Sequence, residues 1–402
     1  ENSRKNMGLG LSSSSRYTPP AAITEFHGVK IGKDCSVGER EAVGTQVMMS
    51  ELTENKLKNA SDWEGGPPKI DNTRFANHDL RYPKLPKDSD GYVQEFDLSD
   101  EKGIRAFFEE YGVVVIKKCL NSEECALSRD ELWSRIERIC KGVDRKDPHT
   151  FEKWPGLAHL GILGNDVVLS KQFCENRQNP NVHKAFATLF NTEKLWGVVG
   201  RASAMRPTVL KNPKFGQPGE EEFQEKKQWR TIPNWLHWDM DPFTGRATTF
   251  AWKVRDPMFN KGYDFLRVQG IVALGDCGPD DGGFQCVPGF HQHIRTWAAQ
   301  NDDKYKKGLL PGSYPIPKDD PMHAHVQTCP VREGSLLIWD SRIPHCTFPN
   351  KSQRGRMIQY IKMAPVDDKA IQPLHAPYPG LLPPDFTPTE LGKKIYGFAA
   401  WS

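Results

Sequence analysis

The sequence lacks the features that mark membrane proteins, disulfide-stapled domains and nucleic-acid-binding proteins. It contains no window approaching 18 consecutive apolar residues, which excludes a membrane-spanning helix. None of its nine cysteines forms a C-x-x-C pair, and a chain of 402 residues buries enough surface to fold without cross-links. Lys and Arg number 54 against 51 Asp and Glu, a balance that does not attract a polyanion. We therefore expect reduced thiols, no membrane span and no nucleic-acid partner.

These absences favour an intracellular, cytoplasmic protein, although the chain begins at Glu1 rather than Met and organelle targeting stays open. Length alone predicts two or three domains, but large β sandwiches can exceed that size as one domain. The distribution of apolar residues, Gly and Pro along the chain predicts an N-terminal extension (1–95), partly disordered or draped over the core. A folded domain (96–365) follows, and then a Pro-rich tail (366–402) that packs on it in extended conformation.

Apolar spacing predicts helices in the first part of the folded domain and strands in the second. One helix is capped by Ser99 and ends at Gly112, and Pro180 opens another further along the chain. Between them a helix begins at Ser122, and its inner side is formed by Leu127, Trp133, Ile136 and Ile139. The predicted strands are short apolar and β-branched runs: 113–116, 248–254, 266–274, 335–339 and 357–363. Helices followed by strands predict an α+β fold around an antiparallel sandwich or barrel.

The triplet His237-Trp238-Asp239 is the first candidate for a chemical site. Side chains at positions i and i+2 of a strand project to the same side, so this imidazole and this carboxylate can hold one metal ion. A triplet of this kind also arises by chance in a chain with 12 histidines. By itself it is equally compatible with a surface pair beside a turn.

Downstream residues strengthen the metal hypothesis. The apolar run 334–340 leads to His345, and Arg356 follows at a spacing of 356 − 345 = 11. Two histidines and one carboxylate on one face of a metal leave three coordination positions open, as in the facial triad of non-haem Fe(II) oxygenases. A guanidinium group nearby suits the remote carboxylate of 2-oxoglutarate, because it can donate two parallel charge-assisted hydrogen bonds.

These motifs resemble the phytanoyl-CoA dioxygenase family of Fe(II)/2-oxoglutarate oxygenases, which also includes ectoine hydroxylase. In that family a distal His follows H-x-D after about 90 to 110 residues, and an Arg follows eleven residues later. The first spacing here is 345 − 239 = 106. Residues 345–350 read HCTFPN, similar to the family's H-x-S/T-x-P-N, and residues 282–291 resemble its "G…PGSH" segment with Phe290 in place of Ser. The resemblance covers roughly residues 96–365.

The resemblance implies a double-stranded β-helix, a cupin-like jelly roll, with flanking helices. It implies that His237, Asp239 and His345 hold Fe(II). It also implies that Arg356 and Thr347 bind the distal carboxylate of 2-oxoglutarate. With dioxygen, such an enzyme hydroxylates a C–H bond of a small organic substrate and converts 2-oxoglutarate to succinate and CO2. The carboxylate of Asp239 implies a hydroxylase, because related halogenases have Gly or Ala at that position.

Several alternatives stay open at this point. Arg354 is a second candidate for the oxoacid clamp, and the H-x-H pairs His291/His293 and His323/His325 could serve a cupin-type site with zinc or another metal. The enzyme could act on a modified nucleobase or a protein side chain instead of a small molecule. The scaffold could also belong to a non-catalytic binding protein. The oligomeric state is open as well.

Overall fold

The computed structural model describes residues 25–26, 29–30, 82–155, 159–163, 169–198, 200–243, 245, 266–305, 314–316, 320–366 and 382–401. Its α-helices are α1 (Glu101–Tyr111), α2 (Ser122–Ile139), α3 (Lys171–Gln178), α4 (Pro180–Phe190), α5 (Ile294–Tyr305) and α6 (Glu390–Ile395). Its strands are β1 (Glu25–Phe26), β2 (Val29–Lys30), β3 (Glu95–Phe96), β4 (Val113–Ile116), β5 (Leu195–Val198), β6 (Ala202–Met205), β7 (Val209–Lys211), β8 (Phe223–Glu225), β9 (His237–Trp238), β10 (Val268–Ala273), β11 (Phe284–Cys286), β12 (Tyr314–Pro315), β13 (Gln327–Cys329), β14 (Leu336–Asp340), β15 (His345–Thr347) and β16 (Arg356–Pro365).

Two facing sheets form the centre of the fold. The larger sheet has the order β3-β4-β14-β10-β16-β5, with β6 also paired to β16, and the smaller has the order β12-β9-β15-β11-β13. Their inner faces meet where the ring centroids of Phe284 in β11 and Trp339 in β14 lie 4.6 Å apart. All pairs in the two sheets are antiparallel except β3 with β4. The predicted α+β fold with a jelly-roll core is therefore confirmed.

Helices cover the outer face of the larger sheet. A Cβ atom on Gly270 of β10 would lie 3.0 Å from the ring of Phe186 in α4, so only glycine lets that helix approach so closely. The buried amide of Asn176 in α3 donates hydrogen bonds to Ser128 in α2 and to Gln359 in β16, both at 2.8 Å. Because side chains alternate along a strand, the neighbours of Gly270 and Gln359 face the space between the sheets.

The beginning of α1 differs from its prediction by one residue. Asp100, not Ser99, is the N-cap, because its carboxylate accepts a hydrogen bond of 2.9 Å from the backbone N–H of Gly103. The predicted end is confirmed, since Gly112 takes the left-handed conformation after the last turn.

The beginning of α2 at Ser122 is confirmed, and Asn121 with Glu124 forms a reciprocal capping box there. The prediction that Leu127 lies on the inner side is wrong, because its side chain is 49% exposed. The prediction for Ile136 is confirmed, and Cys125 and Leu132 are buried on the same side of the helix. Trp133 is partly buried against the core.

The predicted strands 113–116, 266–274, 335–339 and 357–363 are confirmed as β4, β10, β14 and β16. The predicted strand 248–254 lies outside the described residues. The C-terminal region is not extended throughout, because 390–395 form α6. Tyr396, just after it, donates a hydrogen bond of 2.8 Å to the carbonyl of Cys174. The division at residues 95 and 365 stays a prediction. None of the helices in the described part of the chain is long and apolar enough to cross a membrane.

Two glycines with positive φ angles provide a matched test of this packing. Gly334 (φ +75°) precedes β14, and a Cβ atom there would collide with the backbone oxygen of Leu120, whereas Gly142 (φ +93°) has open space around it. Each change to alanine should cost about 1–2 kcal/mol through backbone strain alone. Gly334→Ala should lose about 2 kcal/mol more than Gly142→Ala through overpacking, measured as the free energy of unfolding in urea. Equal losses in the two variants would contradict the close approach at Gly334.

Candidate metal centre

Antiparallel pairing of β9 with β15 places His237 directly opposite His345, with ring centroids 4.6 Å apart. Asp239 follows two residues after His237. Its Oδ1 lies 3.7 Å from Nε2 of His237, and its Oδ2 lies 3.6 Å from Nε2 of His345. One atom from each of the three side chains lies within 4.8 Å of the other two, so they could hold a single metal ion. The structure thus brings together the three residues proposed as ligands.

Backbone carbonyls orient both imidazoles. Nδ1 of His237 lies 3.1 Å from the carbonyl oxygen of Trp235, and Nδ1 of His345 lies 3.0 Å from that of Ile343. A carbonyl oxygen only accepts, so each Nδ1 carries a proton, and Nε2 is the ring nitrogen that faces Asp239 and is left for a metal ion. This arrangement is typical of metal-binding histidines, in which the second ring nitrogen donates to a fixed acceptor.

Aromatic rings hold the imidazoles in place from behind. The ring of Trp235 stacks on His237 with centroids 4.8 Å apart and an interplanar angle of 12°. His345 lies beside Phe284 and Trp339, at centroid distances of 5.7 and 5.1 Å. The side chains of His237 and His345 are 11% and 7% exposed, against 18% for Asp239. The carboxylate side is therefore the more accessible side of the centre.

The electrostatic surroundings favour the protonation states that a metal requires. Burial, reinforced by the neighbouring His345, lowers the pKa of His237 to about 4. Burial acts to raise the pKa of the Asp239 carboxyl, but the interaction with His345 and the positive charge of Lys362 outweigh it. That pKa therefore lies well below its ordinary value. At neutral pH the site offers a neutral imidazole at His237 and an ionised carboxylate.

Two buried donors without partners lie at the other end of the site. Arg356 is 2% exposed and donates from Nη1 to Oγ of Ser203 at 3.2 Å, while its Nε has no hydrogen-bond partner among the described residues. Thr347 lies on the same side of β15 as His345, and its buried hydroxyl also has no such partner. A buried donor left without an acceptor costs about 1–3 kcal/mol, so both atoms suit the carboxylate of a bound 2-oxoglutarate.

Arg354, the second candidate for the clamp, points away from this end of the site. Its side chain is 56% exposed, and its guanidinium forms an ion pair of 2.7 Å with Asp281. Gly355 separates it from the buried Arg356. Strand alternation alone puts both arginines on the same side, so the choice of Arg356 rested on the eleven-residue spacing of the family that the sequence resembles.

The two H-x-H pairs do not assemble a comparable group. Nε2 of His291 lies 2.9 Å from the carbonyl oxygen of Glu109, and the ring of His325 lies 4.1 Å from that of Tyr82. Within the described ranges, only one group of three or more potential metal ligands converges, and it consists of His237, Asp239 and His345.

Sequence reasoning missed three polar residues beside Asp239, namely Arg201, Tyr360 and Lys362. Burial lowers the pKa of Lys362 to about 8 and that of Arg201 to about 10, and the charge of Asp239 opposes both shifts. Burial raises the pKa of Tyr360. A signal for two of them was present, since Tyr360 and Lys362 lie four and six residues after Arg356 in one strand and share its face.

Metal binding should depend on the triad and not on the H-x-H pairs. His345→Ala removes one of three ligands and should weaken anaerobic Fe(II) binding by at least about 100-fold, measured by calorimetry. His325→Ala removes an exposed histidine of an alternative pair and should leave the affinity unchanged. Loss of Fe(II) binding in His325→Ala would contradict the assignment.

The metal-free protein should lose stability in weak acid. Burial lowers the pKa values of His237 and His291 to about 4, below the ordinary 6.5. The unfolded chain then takes up protons first. The stabilisation, complete above pH 6.5, should therefore decline by about 2 kcal/mol per histidine between pH 7 and pH 5. Urea denaturation at both pH values measures this decline. The His237→Gln variant, which lacks one of the two histidines, should show only about half of the wild-type decline. Equal wild-type stability at pH 7 and pH 5 would contradict neutral burial of these rings.

Comparison with known proteins agrees with this geometry. Residues 108–358 match the profile of the family described as "Phytanoyl-CoA dioxygenase (PhyH)". The chain is 28% identical over 326 residues to a Dictyostelium discoideum protein named "Putative phytanoyl-CoA dioxygenase", which covers 71% of this chain and 87% of that protein.

Solved structures that resemble this chain in fold include the epimerase SnoN in complex with Fe3+, alpha ketoglutarate and nogalamycin RO, at 15% identity and a TM-score of 0.40. That match covers 66% of this chain and 84% of SnoN. Another is EvdO2 from Micromonospora carbonacea var. aurantiaca complexed with 2-oxoglutarate, at 17% identity and a TM-score of 0.37, covering 66% of this chain and 90% of EvdO2. Scores this low do not bear on function. The family profile, however, spans more than half of the chain, so the protein belongs to the phytanoyl-CoA dioxygenase family of Fe(II)- and 2-oxoglutarate-dependent dioxygenases.

Proposed function

We propose that this dioxygenase hydroxylates a C–H bond of a small organic substrate while 2-oxoglutarate is converted to succinate and CO2. One observation carries the proposal: His237, Asp239 and His345 converge, and two buried donors without described partners accompany them, Thr347 Oγ1 on the strand of His345 and Arg356 Nε on β16. A ligand triad and buried donors for a carboxylate are together what a metal-bound oxoacid requires.

His237, Asp239 and His345 would hold Fe(II) through Nε2, a carboxylate oxygen and Nε2. When bound, Fe(II) and 2-oxoglutarate supply the activation of dioxygen and the oxidative decarboxylation that a protein side chain cannot perform. The chain contributes geometry, because the carbonyls of Trp235 and Ile343 fix both rings before any ligand arrives. Preorganised ligands avoid reorganisation during the reaction.

Arg356 and Thr347 would orient the oxoacid. The guanidinium is held by its hydrogen bond to Ser203, so its free Nε–H points in a fixed direction. The Thr347 hydroxyl adds a second donor on the strand that carries His345. With its distal carboxylate bound by these groups, 2-oxoglutarate would have its keto acid end directed towards the metal. The two donors would thus restrict the orientation of the oxoacid.

The same site also fixes the side from which a substrate enters. Trp235 covers His237, and Phe284 and Trp339 cover His345, whereas Asp239 is the most exposed of the three ligands. We infer that the substrate approaches along the carboxylate side. Aromatic walls behind the histidines keep water from the remaining sides of the centre.

The other candidate functions have less support. Asp239 occupies the position that halogenases leave open for chloride. An enzyme that acts on a nucleobase within nucleic acid would need a basic surface for the phosphate backbone, but the net charge of this protein is only +3. A non-catalytic binding protein has no need for a converging ligand triad. We further propose an intracellular, cytoplasmic location, which the free thiols of all eight described cysteines support.

The neighbouring arginines provide a sharp test of the proposed oxoacid site. Arg356→Met should weaken 2-oxoglutarate binding by about 100-fold, because it removes charge-assisted hydrogen bonds inside a buried cavity. Arg354→Met, two residues away but exposed, should change nothing. The visible charge-transfer band of Fe(II) with 2-oxoglutarate, titrated without oxygen, measures both affinities.

Well-folded wild-type protein that gives no band would refute the proposed function. A band lost in Arg354→Met but kept in Arg356→Met would move the clamp to the other arginine. Once a band is seen, succinate release across a panel of small organic compounds identifies substrates, and a hydroxylated product distinguishes hydroxylation from desaturation or ring closure.

A further inference from the structure

A row of polar side chains crosses the inner face of the larger sheet on β14, β10 and β16. Gln269 of β10 is paired with Trp339 of β14. On the other side of β10, Gly270 is paired with Ile361, which makes Lys362 the next partner of Gln269 along β16. Residues directly opposite each other in antiparallel strands project to the same face. Trp339, Gln269 and Lys362 therefore form one continuous row.

This row borders the metal centre and not the helices. The ring of Trp339 lies 5.1 Å from that of His345. Gly270, which alternates with Gln269, faces Phe186 of α4 on the opposite side of the sheet. The row and the triad thus share the space between the two sheets.

Two members of the row present donors that the protein does not satisfy. Gln269 and Trp339 are each 1% exposed, and Gln269 Nε2 and Trp339 Nε1 have no hydrogen-bond partner among the residues described. Each such donor costs about 1–3 kcal/mol when it stays without an acceptor. Two adjacent unmet donors, aimed into the cavity, fit a ligand rich in acceptor oxygens.

Positive charge accompanies these donors. Lys362 ends the row, and Arg201 lies next to β16, where its carbonyl accepts a hydrogen bond of 2.9 Å from the N–H of Tyr360. Both cations lie near enough to Asp239 to interact with its charge. Lys362 and Arg201 are half-buried, so they line the cavity rather than extend into bulk water.

Positive charge beside the row favours an anion over a neutral ligand. Lys362 lies in the row itself, and Arg201 lies next to the strand that carries Lys362. In a poorly hydrated cavity such charges favour a negatively charged occupant.

That occupant is not the carboxylate held by Arg356. Lys362 lies six residues further along β16, about 20 Å at the rise of an antiparallel strand. With the distal carboxylate at Arg356 and the keto acid end at the metal, the five carbons of 2-oxoglutarate are already placed. The row borders the triad through Trp339, whose ring lies 5.1 Å from that of His345, so an anion in the row would lie next to the metal centre.

Resting on the proposed function, we propose that Trp339, Gln269, Lys362 and Arg201 form a subsite for an oxyanion group of the substrate. The substrate is then a small organic acid, with a carboxylate or a phosphate ester bound in this row. The C–H bond that reacts lies a short distance from that anionic group.

Three probes of equal chain length test the subsite: hexanoate, hexyl phosphate and the neutral hexanamide. Each is titrated into the Fe(II)- and 2-oxoglutarate-loaded enzyme without oxygen, and binding is followed by tryptophan fluorescence, since Trp339 lies in the row. At least one of the two anions should bind about tenfold or more tightly than the amide, and the better of the two identifies the preferred oxyanion.

Nearly isosteric variants locate the effect. Lys362→Met and Gln269→Leu should each weaken binding of the preferred anion about tenfold and leave hexanamide unchanged. Lys351→Met, which removes an exposed lysine from the segment leading into β16, serves as the control and should bind all probes as the wild type does.

Equal binding of anions and amide, or no binding of any probe, would overturn the subsite. So would a Lys362→Met variant that keeps the anion preference but loses affinity for 2-oxoglutarate in the charge-transfer titration, because the lysine would then serve the oxoacid. A missing charge-transfer band in the wild type refutes the proposed function instead. The fluorescence titration, carried out on the protein without Fe(II) and 2-oxoglutarate, then decides whether the row binds oxyanions.

Discussion

The pairing of β9 with β15 is the constraint on which the rest of the site depends. It places His237 opposite His345 and brings Asp239 between them. A shift of register by one residue would turn one histidine to the other face of the sheet and separate the ligands. The carbonyls that orient the rings belong to residues two positions before each histidine, so the strand geometry fixes both position and tautomer.

The strand β16 links the stability of the fold to the chemistry of the cavity. One face of it, through Gln359 and the buried amide of Asn176, fastens α2 and α3 to the sheet. The opposite face carries Arg356, Tyr360 and Lys362 into the space between the sheets. Residues that contact the helices therefore alternate with residues that face the space between the sheets, and the rigidity obtained on one face holds the other in place.

The cavity retains polar atoms that the protein itself does not satisfy. Most buried donors in a folded protein find an acceptor, because an unmet donor costs free energy. Here such donors occur in two groups, Arg356 with Thr347 and Gln269 with Trp339. In the functions proposed above, the first group binds the oxoacid and the second binds an oxyanion of the substrate.

The sequence by itself determined the fold class and the four confirmed strands, and it singled out the three residues that the structure brings together, because these rest on short-range rules. A His and an Asp two residues apart share a strand face, and the spacing to His345 and Arg356 resembles a known family. Only the tertiary structure decided which arginine is buried, and it alone showed that Leu127 is exposed.

The tertiary structure also brought the row of Trp339, Gln269 and Lys362 to the metal centre from three separate strands. Sequence spacing carries no information about such contacts. They depend on strand order and register, which are set by long-range packing between residues that are distant in the chain.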